Sequence, residues 1–593
     1  MYLNTHSYYS LRYGTLSPKI LLSLAQQNGV ESLAITDINN TSACLTLLRE
    51  AANTDIKISC GIDFRNGIEQ LFIAIAKTNE GFQEINAYLT PFLINKTTTE
   101  GGHTEIPAKA PDFENVFIIY PYKKGEDISE RNLKPYEYVG VTPDDLDYIR
   151  IKKVDVSKCV ILQTVSFRHK KDFNAHRLLR AIDKNTLLSK LPESEQSNPN
   201  HKMLPVAELL EMYKNHPKVI KNTRFILKNS KIHFGFDDDM IPQNQKFYGE
   251  NAQEDEDLLM KLCKEGIPYR YPEQTEKIRA RIEMEIDIIK KMGFISYFLM
   301  NWDIVSYARS KGYFYVGRGS GANSVVAYLL RITDVDPIEL DLYFERFINL
   351  YRTNPPDFDI DFSWRDRDDV TRYMFKRFPN CALVATYNTF QSRSVRRELG
   401  KVFGLPKAEI DKLNKGYINT WELNHLTQLV LKYSSHIHGF PSNLSIHSSG
   451  IIISEKPIHY FTPTFMPPKG FPTIQFDMHV AEDVGLFKFD ILSQRGLGKI
   501  KDTLEIIRQT KPEEAAAIDI HDMNRFKKDE RIKDILRNAK AIGCFYVESP
   551  AMRMLLRKLQ VDDYLGLVAA SSVIRPGVAQ SGMMQAYIMR HRY

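Results

Sequence analysis

The 593-residue chain is 43% apolar and 26% charged, the composition of an ordinary soluble globular protein, and it is too long for one core, so about three or four domains are expected. Its net charge of +6 is concentrated: 18 of the 79 basic and 12 of the 73 acidic residues lie from Ile491 onward, leaving 61 of each before it, an asymmetry that suits a surface facing a polyanion. No apolar run reaches the roughly 18 residues that cross a bilayer, Met1-Tyr2-Leu3 opens on a strand and not on a secretory signal, and the six cysteines form no C-x-x-C pair, which argues against a zinc ribbon or disulfide framework and fits a reducing cytoplasm.

Residues 1 to about 230 read as alternating strands and helices. A short strand spans 2–7, and a helix spans 17–28 with Ser17 as cap and Pro18 in its first turn. Strands follow at 31–37 and 71–76, a pattern that favours an α/β domain with parallel strands, either open or closed into a barrel. Residues 96–107 and 191–202 have loop composition. Thr5-His6-Ser7-Tyr8-Tyr9-Ser10-Leu11 followed by Leu33-Ala34-Ile35-Thr36-Asp37 resembles the opening of the PHP domain, the fold that begins bacterial replicative polymerases. Active members of that fold build a metal cluster from many His, Asp and Glu ligands, starting with H-x-H and T-D-H. Here the first of those histidines is Asn4, the residue after Asp37 is Ile38, the expected Glu reads as Asp63, and the later strand at 162–167 supplies neither Asp nor His. Only His6, Asp37 and Asp63 are left, so the resemblance implies a degenerate site with no tightly bound metal and no phosphoesterase or proofreading activity.

An acidic, aperiodic stretch at 237–256 marks a boundary, and a helix follows with Ile278, Ile282, Ile286 and Ile289 as its apolar stripe. Residues 302–308 are apolar enough for a core helix. Val316-Gly317-Arg318-Gly319-Ser320-Gly321-Ala322-Asn323-Ser324 then offers glycines for close backbone approach, two serine hydroxyls and a cation just before an apolar helix. That is either a phosphate cradle at a helix N-terminus or a tight turn of structural purpose; it is neither a P-loop nor a dinucleotide fingerprint. About forty residues on, Pro355-Pro356-Asp357-Phe358-Asp359-Ile360-Asp361-Phe362 reads as a strand with three carboxylates on one face and an apolar opposite face. Alone it is equally a site for hard divalent cations or a solvated edge strand. Asp366, Asp368 and Asp369 sit where a helix begins and complement its dipole. Arg393, Arg396 and Arg397 share one helix face. His436 and His438 read as loop residues, with no acids near in sequence. Phe487-Lys488-Phe489-Asp490 is a further alternating strand that puts Lys488 and Asp490 together, and from Gly498 the chain is helical and basic.

The order G-R-G-S, F-E-R-F-x-N (344–349), P-D-F-D-x-D-F (356–362), then Gln475-Phe476-Asp477-Met478, Lys488-Phe489-Asp490-Ile491-Leu492, Gly543-Cys544-Phe545-Tyr546-Val547-Glu548-Ser549 and Arg575-Pro576-Gly577 resembles the bacterial DNA polymerase III alpha subunits, the C-family replicative polymerases, over essentially the whole chain. The resemblance implies a multidomain α/β and α+β protein: a PHP-like α/β barrel at 1–235, a nucleotidyltransferase-type palm at 236–388 and 447–497, a mainly helical thumb at 389–446 and partial fingers at 498–593. It implies template-directed transfer of dNMP from a dNTP to a primer 3′-hydroxyl, with two Mg²⁺ ions (Mn²⁺ substituting) on Asp357, Asp359 and Asp490 and with Asp361 in support. Arg318, Gly319, Ser320, Arg352, Lys488 and Arg575 would meet the triphosphate, and Arg393, Arg396 and Arg397 the DNA backbone. Primer–template DNA and dNTPs are the implied partners, in the bacterial cytoplasm with the nucleoid. Relatives continue into further fingers, clamp-binding and OB-fold segments, so a clamp and other replisome subunits are expected to need segments beyond Tyr593. A weakly active DNA-binding portion is the alternative reading, and a PHP phosphoesterase a more distant one.

Overall fold

The structure, a computed structural model, describes residues 1–95, 105–236, 241–351, 356–415 and 423–592. It comprises two compact units, one formed by Met1–Lys246 with Phe378–Lys488, the other by Phe247–Arg377 with the chain from Phe489 onward. Among the described residues, no helix is long and apolar enough to cross a membrane.

The first unit is built on strands β1 (Tyr2–Thr5), β2 (Ser32–Ile35), β3 (Lys57–Asn66), β4 (Glu69–Ala76), β5 (Val116–Pro121), β6 (Glu137–Val141), β7 (Cys159–Ile161) and β8 (Thr164–Val165), in the order β7-β6-β5-β4-β3-β2-β1-β8. The helix expected at 17–28 is Pro18–Gln27, and the Ser17 side chain accepts from the Ile20 amide as an N-cap does. Pairing is parallel except at β4, which runs against both β3 and β5. The expectation of parallel strands fails there because β3 and β4 are joined by a tight turn at Gly67 (φ +62°), too short for a crossover helix. The core of this sheet includes Phe64, Phe72 and Ile118 together with Ala382, Ile452, Ile474 and Leu486 from the second segment. A second core joins Leu178, Leu179 and Ile182 of the helix Lys170–Asp183 to Val395, Leu399, Val430 and Ile437. The helical region around 392–437 is thus packed on a helix that comes more than two hundred residues earlier.

In the second unit the helix Ala252–Arg270 begins at Asn251, whose side chain accepts from the Gln253 and Glu254 amides. The division between the units at Lys246 and Phe247 falls inside the stretch expected to mark a boundary, and two of its last acids, Glu254 and Asp255, lie in the first turn of this helix, where they complement the helix dipole. Residues 237–240 of that stretch lie outside the described residues, as do 96–104 of the expected loop. Three neighbouring strands of this unit, Tyr315–Arg318, Asp359–Ser363 and Phe489–Gln494, carry the acidic motif. The acidic strand lies in the middle, antiparallel to the first and parallel to the third. Helix Glu276–Lys291 buries Ile278, Ile282 and Ile289 of the expected stripe, leaves Ile286 half-buried, and buries Glu285 among them. Beyond Leu536 a separate small core of Met552, Leu555, Leu556 and Leu559 holds the last helices together.

Candidate functional site

The alternation of the acidic strand places Phe358, Ile360 and Phe362 in the interior. Phe358 packs edge-on against Phe298 (5.1 Å between centroids), lies 5.0 Å from Phe347, and stacks on Tyr297 at 5.6 Å. Its amide donates to the Tyr297 hydroxyl over 3.1 Å. Burial, followed by the charges of Asp357 and then Asp490, pushes the Tyr297 hydroxyl far above its ordinary pKa, so both carboxylates act on one neutral, buried ring. Above this floor the register is specific: Asp359 stands opposite Asp490 on the parallel strand and opposite Arg318 on the antiparallel one. Strands in a sheet lie about 4.8 Å apart, so three charged residues form one row. Arg318 donates through Nε to Asp361 (2.6 Å) and through Nη1 to Asp359 (3.3 Å), which offsets the repulsion between neighbouring acids. The three aspartates differ in access. Asp357 is exposed and the Asp359 side chain is 30% exposed, whereas Asp361 is 5% exposed and committed to Arg318. Among the described residues, no three His, Cys, Asp or Glu side chains converge as a complete metal-ligand set.

The glycine-rich segment follows Arg318 directly as a 3₁₀ turn, Gly319–Asn323. Gly319 has φ +79°, and a Cβ there would stand 3.0 Å from Asp359 Oδ2; a Cβ on Gly321 would lie 2.4 Å from the Phe358 ring. The turn therefore rests on the acidic strand itself. Gly321→Ala is expected to displace that ring within a packed aromatic cluster and to cost about 1–3 kcal/mol, the usual penalty of overpacking, measurable as a lower urea midpoint.

The sequence leaves two readings of this segment open, and the helix after the turn does not offer an open anion site. It is the five-residue Val325–Leu329, and its donors are already taken. Glu285 accepts from the Val325 and Val326 amides (both 3.0 Å) and from the Ser324 hydroxyl (2.8 Å). Ser324 is fully buried, so it is no donor to a ligand. Arg318 and Gly319 are exposed and Ser320 half-buried, and these three are what the segment presents outward.

The other sequence candidates are spread more widely. Arg352 lies outside the described residues. Lys488 belongs to the first unit and precedes the strand Phe489–Gln494, so the alternating strand expected to begin at Phe487 starts two residues later. Arg575 is exposed at the head of the short helix Pro576–Gln580. Arg393 and Arg397 are exposed on the helix Ser392–Val402, but Arg396 is turned to the Leu413 carbonyl (2.9 Å) and Arg397 pairs with Glu398 (3.2 Å). Asp368 and Asp369 open the helix Arg367–Arg377 as expected; Asp366 is buried against Lys501. His436 is not a loop residue: it lies in the helix His425–Ile437, and its acid partner, Asp172 (2.9 Å), comes from 264 residues away.

In the N-terminal sheet, His6 and Asp37 are satisfied by protein, and Asp63 is satisfied at one of its two oxygens. Asp37 accepts from the Ser7 amide and hydroxyl (both 2.7 Å) and the Ser10 hydroxyl (2.6 Å). His6 Nε2 is 2.9 Å from Asp63 Oδ2, and His6 Nδ1 is 2.9 Å from the Ser166 hydroxyl. The residue that sequence reasoning missed is Arg65, whose buried guanidinium donates twice to Asp63 Oδ2 (3.0 and 2.7 Å) and once to the Tyr13 hydroxyl (3.2 Å). Burial alone would raise the Asp63 pKa; Arg65 and the His6 hydrogen bond outweigh it and hold the carboxyl well below the usual range. Gln70 adds a donor at 2.9 Å, while Asp63 Oδ1 has no hydrogen-bond partner. The cluster is a carboxylate with its own internal cation.

The PHP domain model matches residues 3–109, the bacterial DNA polymerase III alpha NTPase domain model residues 257–493, and the bacterial DNA polymerase III alpha subunit finger domain model residues 496–593. The chain is 28% identical to an error-prone DNA polymerase of Symbiobacterium thermophilum over 100% of its own length and 59% of the relative's. It is 28% identical to the DNA polymerase III subunit alpha of Bacillus subtilis (97% of the chain, 55% of the relative) and 27% identical to that of Escherichia coli K12 (100% and 56%). The chain thus spans little more than half the length of these relatives.

Proposed function

Because the chain belongs to the bacterial DNA polymerase III alpha subunit family, we propose that it performs template-directed DNA synthesis, transferring dNMP from a dNTP to a primer 3′-hydroxyl with release of pyrophosphate. The observation that carries this reading is the register of Asp359 against Asp490, with Asp357 two residues upstream and an aromatic floor beneath. In this reading residues 236–388 and 447–497 supply the palm, 389–446 the thumb and 498–593 the fingers. Primer–template DNA and dNTPs are the substrates, and the cytoplasm the compartment.

Asp357, Asp359 and Asp490 would hold divalent metal, Mg²⁺ in our reading. The donor set suits it: hard carboxylate oxygens, with Asp359 and Asp490 paired in register on adjacent strands, beside a strand that already takes a guanidinium between Asp359 and Asp361. When bound, the metal lowers the pKa of the attacking hydroxyl and neutralises charge on the phosphates. The chain's own residues do the rest. Arg318 can serve either the carboxylates or a phosphate, and an anion on Gly319 and Ser320 competes for it. Arg352, Lys488 and Arg575 are proposed to neutralise the triphosphate, while Arg393, Arg396 and Arg397 would hold the DNA backbone without reading sequence. Asp361, buried against Arg318, positions that guanidinium. The PHP-like domain is proposed to be structural, because Arg65 supplies to Asp63 the charge that a metal would otherwise bring.

The test is extension of a primer on a template with single dNTPs. Incorporation of the matched nucleotide that requires Mg²⁺ or Mn²⁺ and is lost in Asp357→Asn is expected, with metal analysis of the same chelator-treated protein finding less than about one-tenth of an equivalent of tightly held Mn or Zn. Extension that survives Asp357→Asn would remove the assignment. DNA binding without extension would leave the chain a DNA-binding portion of a longer enzyme.

A further inference from the structure

The glycine-rich turn is fastened at both ends. At its start Arg318 is tied to Asp359 and Asp361 of the acidic strand. At its end stands Glu285, a fully buried carboxylate on the helix Glu276–Lys291. Each of its oxygens takes two donors: Oε1 from Arg281 Nε (2.7 Å) and the Val325 amide (3.0 Å), Oε2 from the Ser324 hydroxyl (2.8 Å) and the Val326 amide (3.0 Å). Arg281 extends the tie, donating through Nη2 to the carbonyls of Asn323 (3.0 Å) and Leu342 (2.9 Å). Four groups of the loop and its flank, together with the Leu342 carbonyl, thus converge on one ion pair.

We propose that Glu285 is a positioning residue: it fixes the end of the turn so that Gly319 and Ser320 are held against Asp359, ready for the triphosphate that the polymerase reading assigns to them. A buried carboxylate is a costly fastening and persists only when fully paired, and this one has all four acceptor positions filled. Burial raises its pKa while the amides and Arg281 oppose that rise. Glutamine has the same shape but turns one oxygen into an amide NH₂, which must then face two donors. The isosteric substitution therefore breaks the tie without opening a cavity.

The experiment compares Glu285→Gln and the milder Ser324→Ala with Ile289→Ala, a core truncation one turn along the same helix. Amide hydrogen exchange over residues 319–326 is read beside that of the strand Asp359–Ser363. In Glu285→Gln, exchange across the loop is expected to rise at least about tenfold while the strand stays protected; Ser324→Ala should show a smaller rise and Ile289→Ala none, although it melts earlier. The KM for the matched dNTP is expected to rise about tenfold in Glu285→Gln with kcat changed less than about threefold, the pattern of lost ground-state binding. A loop as protected as wild type in folded Glu285→Gln, or the same KM shift in Ile289→Ala, overturns the proposal, as does faster loop exchange with an unchanged KM. If the wild-type chain extends no primer, the polymerase reading fails on that result alone, and the exchange data still decide whether Glu285 holds the loop. Should Glu285→Gln fail to fold, Ser324→Ala carries the same two readouts.

Discussion

Asp359→Asn and Asp490→Asn are each expected to slow primer extension on the order of a thousandfold, about 4 kcal/mol of barrier, whereas Asp361→Asn is expected to cost less than about tenfold. All three substitutions keep the shape of the side chain and remove a charge, so the ranking follows from what each carboxylate faces. Asp359 and Asp490 stand directly opposite each other on paired parallel strands, and Asp359 keeps solvent access beside the exposed Gly319. A cation or a phosphate placed there interacts with both at short range, and such interactions weigh most where water is excluded. Asp361 and Asp490 are equally buried, at 5% exposure each, and Asp361 is set apart because it is already spent on Arg318 at 2.6 Å. Asparagine at 361 still offers an oxygen to Arg318 Nε, so the guanidinium is loosened without losing its acceptor. Single-turnover extension of a primer by one nucleotide, with folding checked by circular dichroism, measures the three side by side. The double variant Asp359→Asn/Asp490→Asn should be little worse than either single one, because residues that act as a unit are not additive. A larger loss for Asp361→Asn than for Asp359→Asn would mean that the carboxylates share the work differently, with Asp361 among the acting groups.

What could be foreseen from sequence was local. The burial of Phe358, Ile360 and Phe362 follows from a period of two within a few residues, and Ser17-Pro18 announces a capped helix in the same way. Three features escaped because their partners are remote. The burial of Asp361 depends on Arg318, 43 residues earlier, which turns one of three equivalent-looking aspartates into an internal ion-pair partner. Asp172 and His436 meet across 264 residues, with nothing near either one to announce it. Glu285 lies between Ile282 and Ile289 on the apolar stripe, where hydrophobic periodicity treats it as a gap; the one available signal was Arg281 four residues before it. Arg65 offered a similar hint, since residues two apart on a strand share a face, yet a search for metal ligands passes over a cation. The antiparallel turn at Gly67 was equally compact and equally easy to absorb into an alternating pattern.

Arg65→Leu is expected to destabilise the N-terminal sheet by about 3–5 kcal/mol at pH 7, the penalty for leaving one partner of a buried pair alone. Asp63 is fully buried, Oδ1 has no hydrogen-bond partner, and the donors at Oδ2 are Arg65, His6, Gln70 and a long contact from Asn4. Removal of the guanidinium leaves a carboxylate with too little positive charge around it. In the wild-type protein the Asp63 carboxyl lies well below the usual range, so its contribution to stability is complete above the unfolded value of about 3.9 and is lost as pH falls toward the depressed folded value. In Arg65→Leu the sign reverses. Burial then raises the carboxyl above its unfolded value, and protonation of Asp63 relieves the unpaired charge, so stability rises as pH is lowered from 7 toward 4. The double variant Asp63→Asn/Arg65→Leu should recover most of the loss, because it removes the buried charge together with its partner, and it should show neither slope. Urea unfolding of the full chain followed by far-ultraviolet circular dichroism at pH 4, 5.5 and 7 reads all three proteins. A single variant that matches wild type at pH 7, or one whose stability does not rise between pH 7 and pH 4, would show that Arg65 is not the cation on which this cluster depends.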